Sequence, residues 1–437
     1  MELLSAADAE AEQRRIAGGL RARGLRPGDR VALVAGSRAA LLSAVLGALR
    51  TGIVPVVPNA ALLDHERKAI LDDADPQLVV DDALLEQLRT AAPVELAPYP
   101  LARPMHYTSG TTGTPKGVWS GLLDEAEAAA LATEEAELWG FDRSDVHLVC
   151  SPFHHSVSIR FGAGTLLAGG SVVVLGRFEA AAVVRAVTEL RPTTTFMVPA
   201  HLQRLFALDP SAGWAKRSPF RLVAHAGAPC PEPLKRAAID VFGTDVVWEF
   251  YGATEGQFTA CSATEWLERP GTVGRARPGR RLSVGEDGVI WCEVPPYARW
   301  EYWRDPERTS MAWRGSAFTV GDLGHLDADG YLFLDGRRDD LIITGGVNVY
   351  PLEVEQTLCR APGVEQVAVF GVDDERWGQR VCAAVVGEVT PEAVLAFARE
   401  WLAPFKRPKE VFVVEDLPHT STGKLQRSRL AARLGLG

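Results

Sequence analysis

The segment Tyr107–Val118, YTSGTTGTPKGV, packs three glycines, five Ser/Thr hydroxyls and one lysine, Lys116, into twelve residues. Glycines let backbone amides turn toward an anion, hydroxyls add donors, and the lysine brings a mobile positive charge suited to outer phosphates. The spacing is not that of the P-loop GxxxxGK[ST], because Pro115 precedes the lysine and Gly117 follows it. A flexible linker is the bland alternative. The β-leaning lead-in Met105-His106-Tyr107 and the stiffening Pro115 argue against it. Further along, Glu249-Phe250-Tyr251-Gly252-Ala253-Thr254-Glu255 sets an aromatic face, a glycine, a hydroxyl and a carboxylate close together. Those parts can hold an adenine ring, admit a phosphate and ligate Mg²⁺ through a hard oxygen. In Val320-Gly321-Asp322-Leu323-Gly324, Asp322 could accept both ribose hydroxyls, although alone such a pair is more often a turn. Two further segments are Gly336–Pro351, followed by Glu353 and Glu355, and Thr420–Arg427 with Lys424. Taken singly they read equally well as a charged loop before a hairpin and a solvated basic tail.

These segments need elements to position them. Short apolar runs at Val31–Val34, Val54–Val57, Leu78–Val80, Val146–Val149, Val172–Leu175 and Leu222–Ala224 alternate with helically spaced stretches such as Ala39–Arg50 and Ala180–Leu190. That alternation predicts an α/β architecture with largely parallel sheets. From about Val284 to Leu334 the texture changes to short strands and tight turns, which predicts a small antiparallel or barrel-like unit. A boundary follows near Gly336. Beyond it, a turn at Gly345-Gly346, a helix from about Leu352, strands at Val367–Val369 and Val381–Val386 and a helix over Pro391–Trp401 suffice for a compact α+β domain.

A chain of 437 residues, 47% hydrophobic, should form two or three units. Its net charge of −10 opposes a general affinity for nucleic acid or anionic membrane, so any anion site is local. The cysteines Cys150, Cys230, Cys261, Cys292, Cys359 and Cys382 form no CxxC pair and read as small hydrophobes. No signal segment or membrane-length apolar run is visible, which makes a cytoplasmic protein without membrane insertion the expectation.

In this order the five segments resemble the adenylate-forming superfamily of acyl-CoA synthetases, peptide-synthetase adenylation domains and beetle luciferases. The resemblance runs from Gly28-Asp29-Arg30-Val31-Ala32 through Lys424. It implies an N-terminal domain of two α/β sheets plus a small β-barrel (1–335), a hinge (336–340) and a small mobile α+β C-terminal domain (341–437). Carried over by position, Thr108, Ser109, Gly110, Thr111, Thr112, Gly113 and Lys116 hold the outer phosphates of ATP. Gly227, Ala228 and Pro229 line the adenine and acyl pockets, and Tyr251 with Gly252 lies near adenine. Thr254 donates to the α-phosphate and Glu255 ligates Mg²⁺. Asp322 and Arg337 hold the ribose, Asp339 is the hinge residue, and Gly346 borders the pantetheine tunnel. Lys424 bridges the substrate carboxylate and the α-phosphate. His154 and His155 align where the family gates its acyl pocket, with Phe250 and Ala253 as further lining.

The implied reaction is ATP-dependent ligation of a carboxylic acid to coenzyme A through an acyl-adenylate. Two alternatives belong to the same superfamily: an enzyme loading the phosphopantetheine thiol of a carrier protein, and a member performing one half-reaction. A non-catalytic nucleotide-binding regulatory module is the alternative of another class. One position departs from the family pattern: Val320 stands where a Thr usually precedes the Gly-Asp pair. Loss of that hydroxyl is expected to slow adenylation by the worth of one hydrogen bond, about 0.5–1.5 kcal/mol.

Overall fold

A computed structural model describes residues 1–36, 38–108, 116–208, 214, 218–337, 340–344, 347–374, 376–419 and 425–436. Its largest sheet has eight strands in the order Glu2–Ser5, Ser171–Val174, Val146–Val149, Thr194–Met197, Leu222–His225, Val247–Glu249, Thr259–Ser262 and Arg275–Ala276. The five from Ser171–Val174 to Val247–Glu249 run parallel, and the outer three are antiparallel. The central strands are almost wholly buried, because helices cover both faces, and that is why they read as unbroken apolar runs. The strand Glu2–Ser5 was hidden in the sequence by its polar neighbours; it pairs with Ser171–Val174 and closes that edge.

A second, three-stranded parallel sheet joins Val54–Val56, Arg30–Leu33 and Leu78–Val80. The helix Ala39–Leu49 is buried nearly all round, and its core merges with that of the helix Ser156–Leu167. The helix Glu125–Trp139 starts in a capping box between Asp124 and Glu127 and ends on Gly140 at φ +60. Such boundary chemistry fixes its ends.

The expected small antiparallel unit is present. Arg281–Val284, Ile290–Glu293, Ala317–Phe318 and Trp313–Arg314 form one sheet, Asp322–Leu326 pairs with Leu332–Arg337, and Val289 bridges to Leu323. Its core gathers Tyr251, Phe258, Trp300, Trp313 and Phe318. The strand Leu332–Arg337 runs through Gly336, where a boundary was expected, because pairing with Asp322–Leu326 holds it as far as Arg337. Gly336 and Arg337 therefore belong to the barrel. Of the other expected hinge residues, 338 and Asp339 lie outside the described residues, and Asp340 is described.

The C-terminal sheet contains Val347–Val349, Ile342–Thr344, Gly378–Gly387, Val364–Asp374 and Glu410–Val413. The hairpin of Val364–Asp374 with Gly378–Gly387 is longer than the apolar runs suggested, since its ends are polar and exposed while the ladder continues. The helices Pro351–Leu358 and Pro391–Trp401 pack on this sheet, each entering through a proline in its first turn. All six cysteines are free, and Cys150, Cys261, Cys292 and Cys382 are buried. Among the described residues no helix is long and apolar enough to cross a membrane.

Candidate active site

Parallel strands deliver their C-terminal ends to one edge of the large sheet, where open α/β sheets keep their ligand crevices. Four loops leave that edge together. Val149 leads into Ser151–His155, Met197 into Val198-Pro199, His225 into Ala226–Pro229, and Glu249 into Phe250–Glu255. The loops are tied to one another, since the Phe250 N–H donates to the His225 carbonyl at 3.1 Å. Gly227 stands at φ +91 with the methyl of Val198 3.4 Å from where its Cβ would sit. A side chain there would strain the backbone at the pocket rim. Ala228 is half-buried and Pro229 exposed.

The segment after Glu249 folds back on itself. Gly252 bridges to Gln257, and Ala253 and Gly256 exchange backbone hydrogen bonds of 2.9 and 3.2 Å. A Cβ on Gly252 would lie 2.7 Å from both the Gln257 Cα and the Gly256 carbonyl oxygen, so only glycine fits. Thr254 and Glu255 are thereby held at the tip of a tight turn. Glu255 is 7% exposed, and its Oε1 accepts from the Tyr302 hydroxyl at 2.9 Å.

Tyr251 packs on Phe258 at 4.9 Å between ring centroids and donates to Asp322 Oδ2 at 2.6 Å. Burial, and then the Asp322 carboxylate, push its phenol well above the ordinary range. Asp322 and Arg337 are direct partners in the two-stranded ladder, with Arg337 Nε 3.1 Å from Asp322 Oδ1. The structure thus brings the expected ribose pair together and adds Tyr251 to it.

The phosphate loop springs from the hairpin of His106–Thr108 with Lys116–Trp119, in which Thr108 faces Lys116. Ser109, Gly110, Thr111, Thr112 and Gly113 lie outside the described residues, and Thr108 is described as backbone. Lys116 Nζ sits 5.1 Å from the Tyr302 ring centroid. Gly346 and Lys424 also lie outside the described residues. Just beyond Lys424 in sequence, Arg427 pairs with Asp340 and donates to Glu355 at 2.7 Å, which ties Arg427 to the last residue of the expected hinge.

His154 and His155 lie 4.1 Å apart between ring centroids. Burial, then His155, pushes His154 down to about 3, and burial, again with His155, pushes His106 to about 4. Both rings are neutral at neutral pH. In the neighbouring loop Phe250 is walled by Trp139 at 5.6 Å and Phe196 at 5.7 Å, with the Arg160 guanidinium 5.7 Å from its centroid.

Two groups escaped the sequence reading. Tyr302 touches both Glu255 and Lys116, and its sole signal was the aromatic run Trp300–Trp303. Lys235, 1% exposed on the helix Glu232–Phe242, pairs with Glu249 at the end of its strand; His225 Nδ1 lies 3.9 Å from the same carboxylate. No motif marked it.

The donor set suits Mg²⁺ carried with nucleotide. Among the described residues no group of three or more His, Cys, Asp or Glu could hold a metal ion, whereas Glu255 presents one hard carboxylate. Mg²⁺ commonly takes one or two carboxylates and completes its shell with phosphates and water.

Comparison with known proteins gives this geometry a family. The profile described as "AMP-binding enzyme" matches residues 2–100 and 103–289, and "AMP-binding enzyme C-terminal domain" matches 353–424. The 2-succinylbenzoate–CoA ligase of Geobacillus sp. (strain WCH70) is 31% identical over 93% of this chain and 88% of its own. The indoleacetate–CoA ligase of Aromatoleum aromaticum is 34% identical over 84% of this chain and 76% of its own. The o-succinylbenzoate coenzyme A synthetase of Bacillus subtilis, solved with ATP and magnesium ion, superposes with a TM-score of 0.84 at 27% identity, covering 97% of this chain and 94% of that one. The chain belongs to the AMP-binding enzyme family, and within this adenylate-forming superfamily it is an AMP-forming acid–thiol ligase.

Proposed function

We propose that the chain joins a compact aryl carboxylic acid to coenzyme A, with ATP and Mg²⁺ consumed in forming the acyl-adenylate. The observation that carries the choice of acid is the aromatic cluster around Phe250, at the same sheet edge as the loop of the histidine pair. Phe250, walled by Trp139 and Phe196, offers a rigid aromatic surface that favours a flat ring over a long flexible chain. The acids in the relatives' names, 2-succinylbenzoate and indoleacetate, are of the same kind.

Chemically, a carboxylate attacks the α-phosphorus although both partners are anions, so the work lies in positioning and charge neutralisation. No general base is required, because the acid is ionised at neutral pH. Lys116 steadies the outer phosphates, Thr254 the α-phosphate, and Asp322 with Arg337 the ribose, while Tyr251 fixes Asp322. Glu255 would hold Mg²⁺, which supplies charge neutralisation between the phosphates. Lys424 bridges the two reacting anions and then withdraws as the C-terminal domain turns about Asp339, presenting Gly346 to the incoming thiol. In this reading the N-terminal body extends through Arg337.

The test is a panel of aryl, short-chain and long-chain acids offered with ATP, Mg²⁺ and coenzyme A, with AMP, pyrophosphate and thioester followed together. Thioester and AMP should appear in equal amounts with aryl acids. Turnover confined to long-chain acids would overturn the choice of acid.

A further inference from the structure

We propose that Tyr302 is a positioning residue that holds the carboxylate of Glu255 and the ammonium of Lys116 in register for the nucleotide–metal step. The proposal rests on the reading of Glu255 as metal ligand and Lys116 as phosphate lysine. It adds a residue to neither list; it says what aims both.

The backbone of Tyr302 is fixed from two sides. The strand Glu301–Tyr302 pairs antiparallel with Lys116–Trp119, placing Tyr302 opposite Val118, and the Trp303 N–H donates to the Gly117 carbonyl at 2.8 Å. On its other side the Tyr302 N–H donates to Thr309 Oγ1 at 2.9 Å. Its ring is braced edge-on by Trp300 at 4.9 Å. A side chain leaving so constrained a backbone has little freedom.

Its two ends meet the two charged groups. The hydroxyl donates to Glu255 Oε1 at 2.9 Å, and the ring centroid lies 5.1 Å from Lys116 Nζ, within cation–π range. Its hydroxyl engages one oxygen of a nearly buried carboxylate and so restrains the carboxylate plane. Lys116 and Glu255 stand in elements far apart in sequence, and Tyr302 contacts both through its own side chain.

The experiment compares wild type with Tyr302→Phe, which keeps the ring and removes the hydroxyl, and with Tyr302→Leu, which removes both. Mn²⁺ binding in the presence of the α,β-methylene analogue of ATP is read by electron paramagnetic resonance, beside the Mg²⁺ midpoint of pyrophosphate exchange and metal-free thermal unfolding. For Tyr302→Phe the apparent Mn²⁺ dissociation constant and the Mg²⁺ midpoint should rise about tenfold, as expected for loss of a hydrogen bond to a charged group. The metal-free unfolding midpoint should stay in place. Tyr302→Leu should in addition weaken the nucleotide analogue without metal. Mn²⁺ affinity of Tyr302→Phe within about twofold of wild type, or equal loss of adenylation and of thioester formation from supplied adenylate, overturns the proposal. Glu255→Gln separates it from its foundation: if that change leaves Mn²⁺ affinity intact, the metal reading of Glu255 fails whatever Tyr302 does.

Discussion

At the scale of the residue, the site is a set of charges held by neighbours that sequence motifs do not name. Asp322 takes a hydrogen bond from Tyr251 and an ion pair from Arg337, so its carboxylate is held in place by its neighbours. Val320 is half-buried against the barrel core, and the preceding Thr319 spends its hydroxyl as acceptor for the Gly321 N–H at 3.1 Å. Val320→Thr should quicken ATP–pyrophosphate exchange by about two- to twelvefold, the worth of about 0.5–1.5 kcal/mol. An unchanged exchange rate would show that this position makes no contact that matters to adenylation. Lys116, Glu255, Asp322 and Arg337 could be singled out in the sequence because each sits in a local pattern. Tyr302 could not, because nothing within Trp300–Trp303 says which distant carboxylate its hydroxyl will meet.

At the scale of the element, the loop that carries Tyr251 to Glu255 is aimed by the strand before it. That strand's last residue, Glu249, is bound by Lys235 from the helix Glu232–Phe242, and the Lys235 ammonium also lies 4.8 Å from the Trp266 ring centroid. Removing one member of so buried a pair leaves an uncompensated charge, at a cost of about 3–5 kcal/mol. Lys235→Met should lose that much in urea denaturation, and Glu249→Leu added to it should recover most of the loss. A single-variant loss below about 1 kcal/mol would mean that water reaches Glu249. The parallel strands were readable because burial on both faces leaves an apolar run. The strands Glu2–Ser5 and Glu301–Tyr302 were not, being too short and too mixed to display a period of two. For the same reason the end of the barrel at Arg337 needed the ladder itself, since Gly336-Arg337 reads as the start of a charged loop.

At the scale of the whole molecule, two expectations follow. Arg427, three residues beyond Lys424 in sequence, is joined to Asp340 and to Glu355 of the helix Pro351–Leu358. Lys424→Ala should abolish acyl-adenylate formation and spare thioester formation from supplied adenylate, measured as separate half-reactions. Equal loss of both would contradict a turning domain. The second concerns acid. His106, His147, His154, His201 and His225 are pushed, first of all by burial, to about 4, 3, 3, 4 and 4. Their folded values lie below the ordinary one, so the unfolded chain takes up protons first as pH falls. Stability is full above about 6.5 and is lost toward about 4, by up to about 1.4 kcal/mol per pH unit for each histidine. Thermal midpoints should fall steadily between about pH 7 and 5, and a flat profile would show that these rings are already accessible to water. Finally, the hairpin that presents Lys116 receives its third strand, Glu301–Tyr302, from much later in the chain. During synthesis, which completes domains from the N-terminal side, that strand leaves the ribosome after the entire large sheet. A nascent or truncated chain can therefore fold its parallel core while lacking the strand that aims Lys116, so nucleotide would be gripped firmly by finished molecules alone.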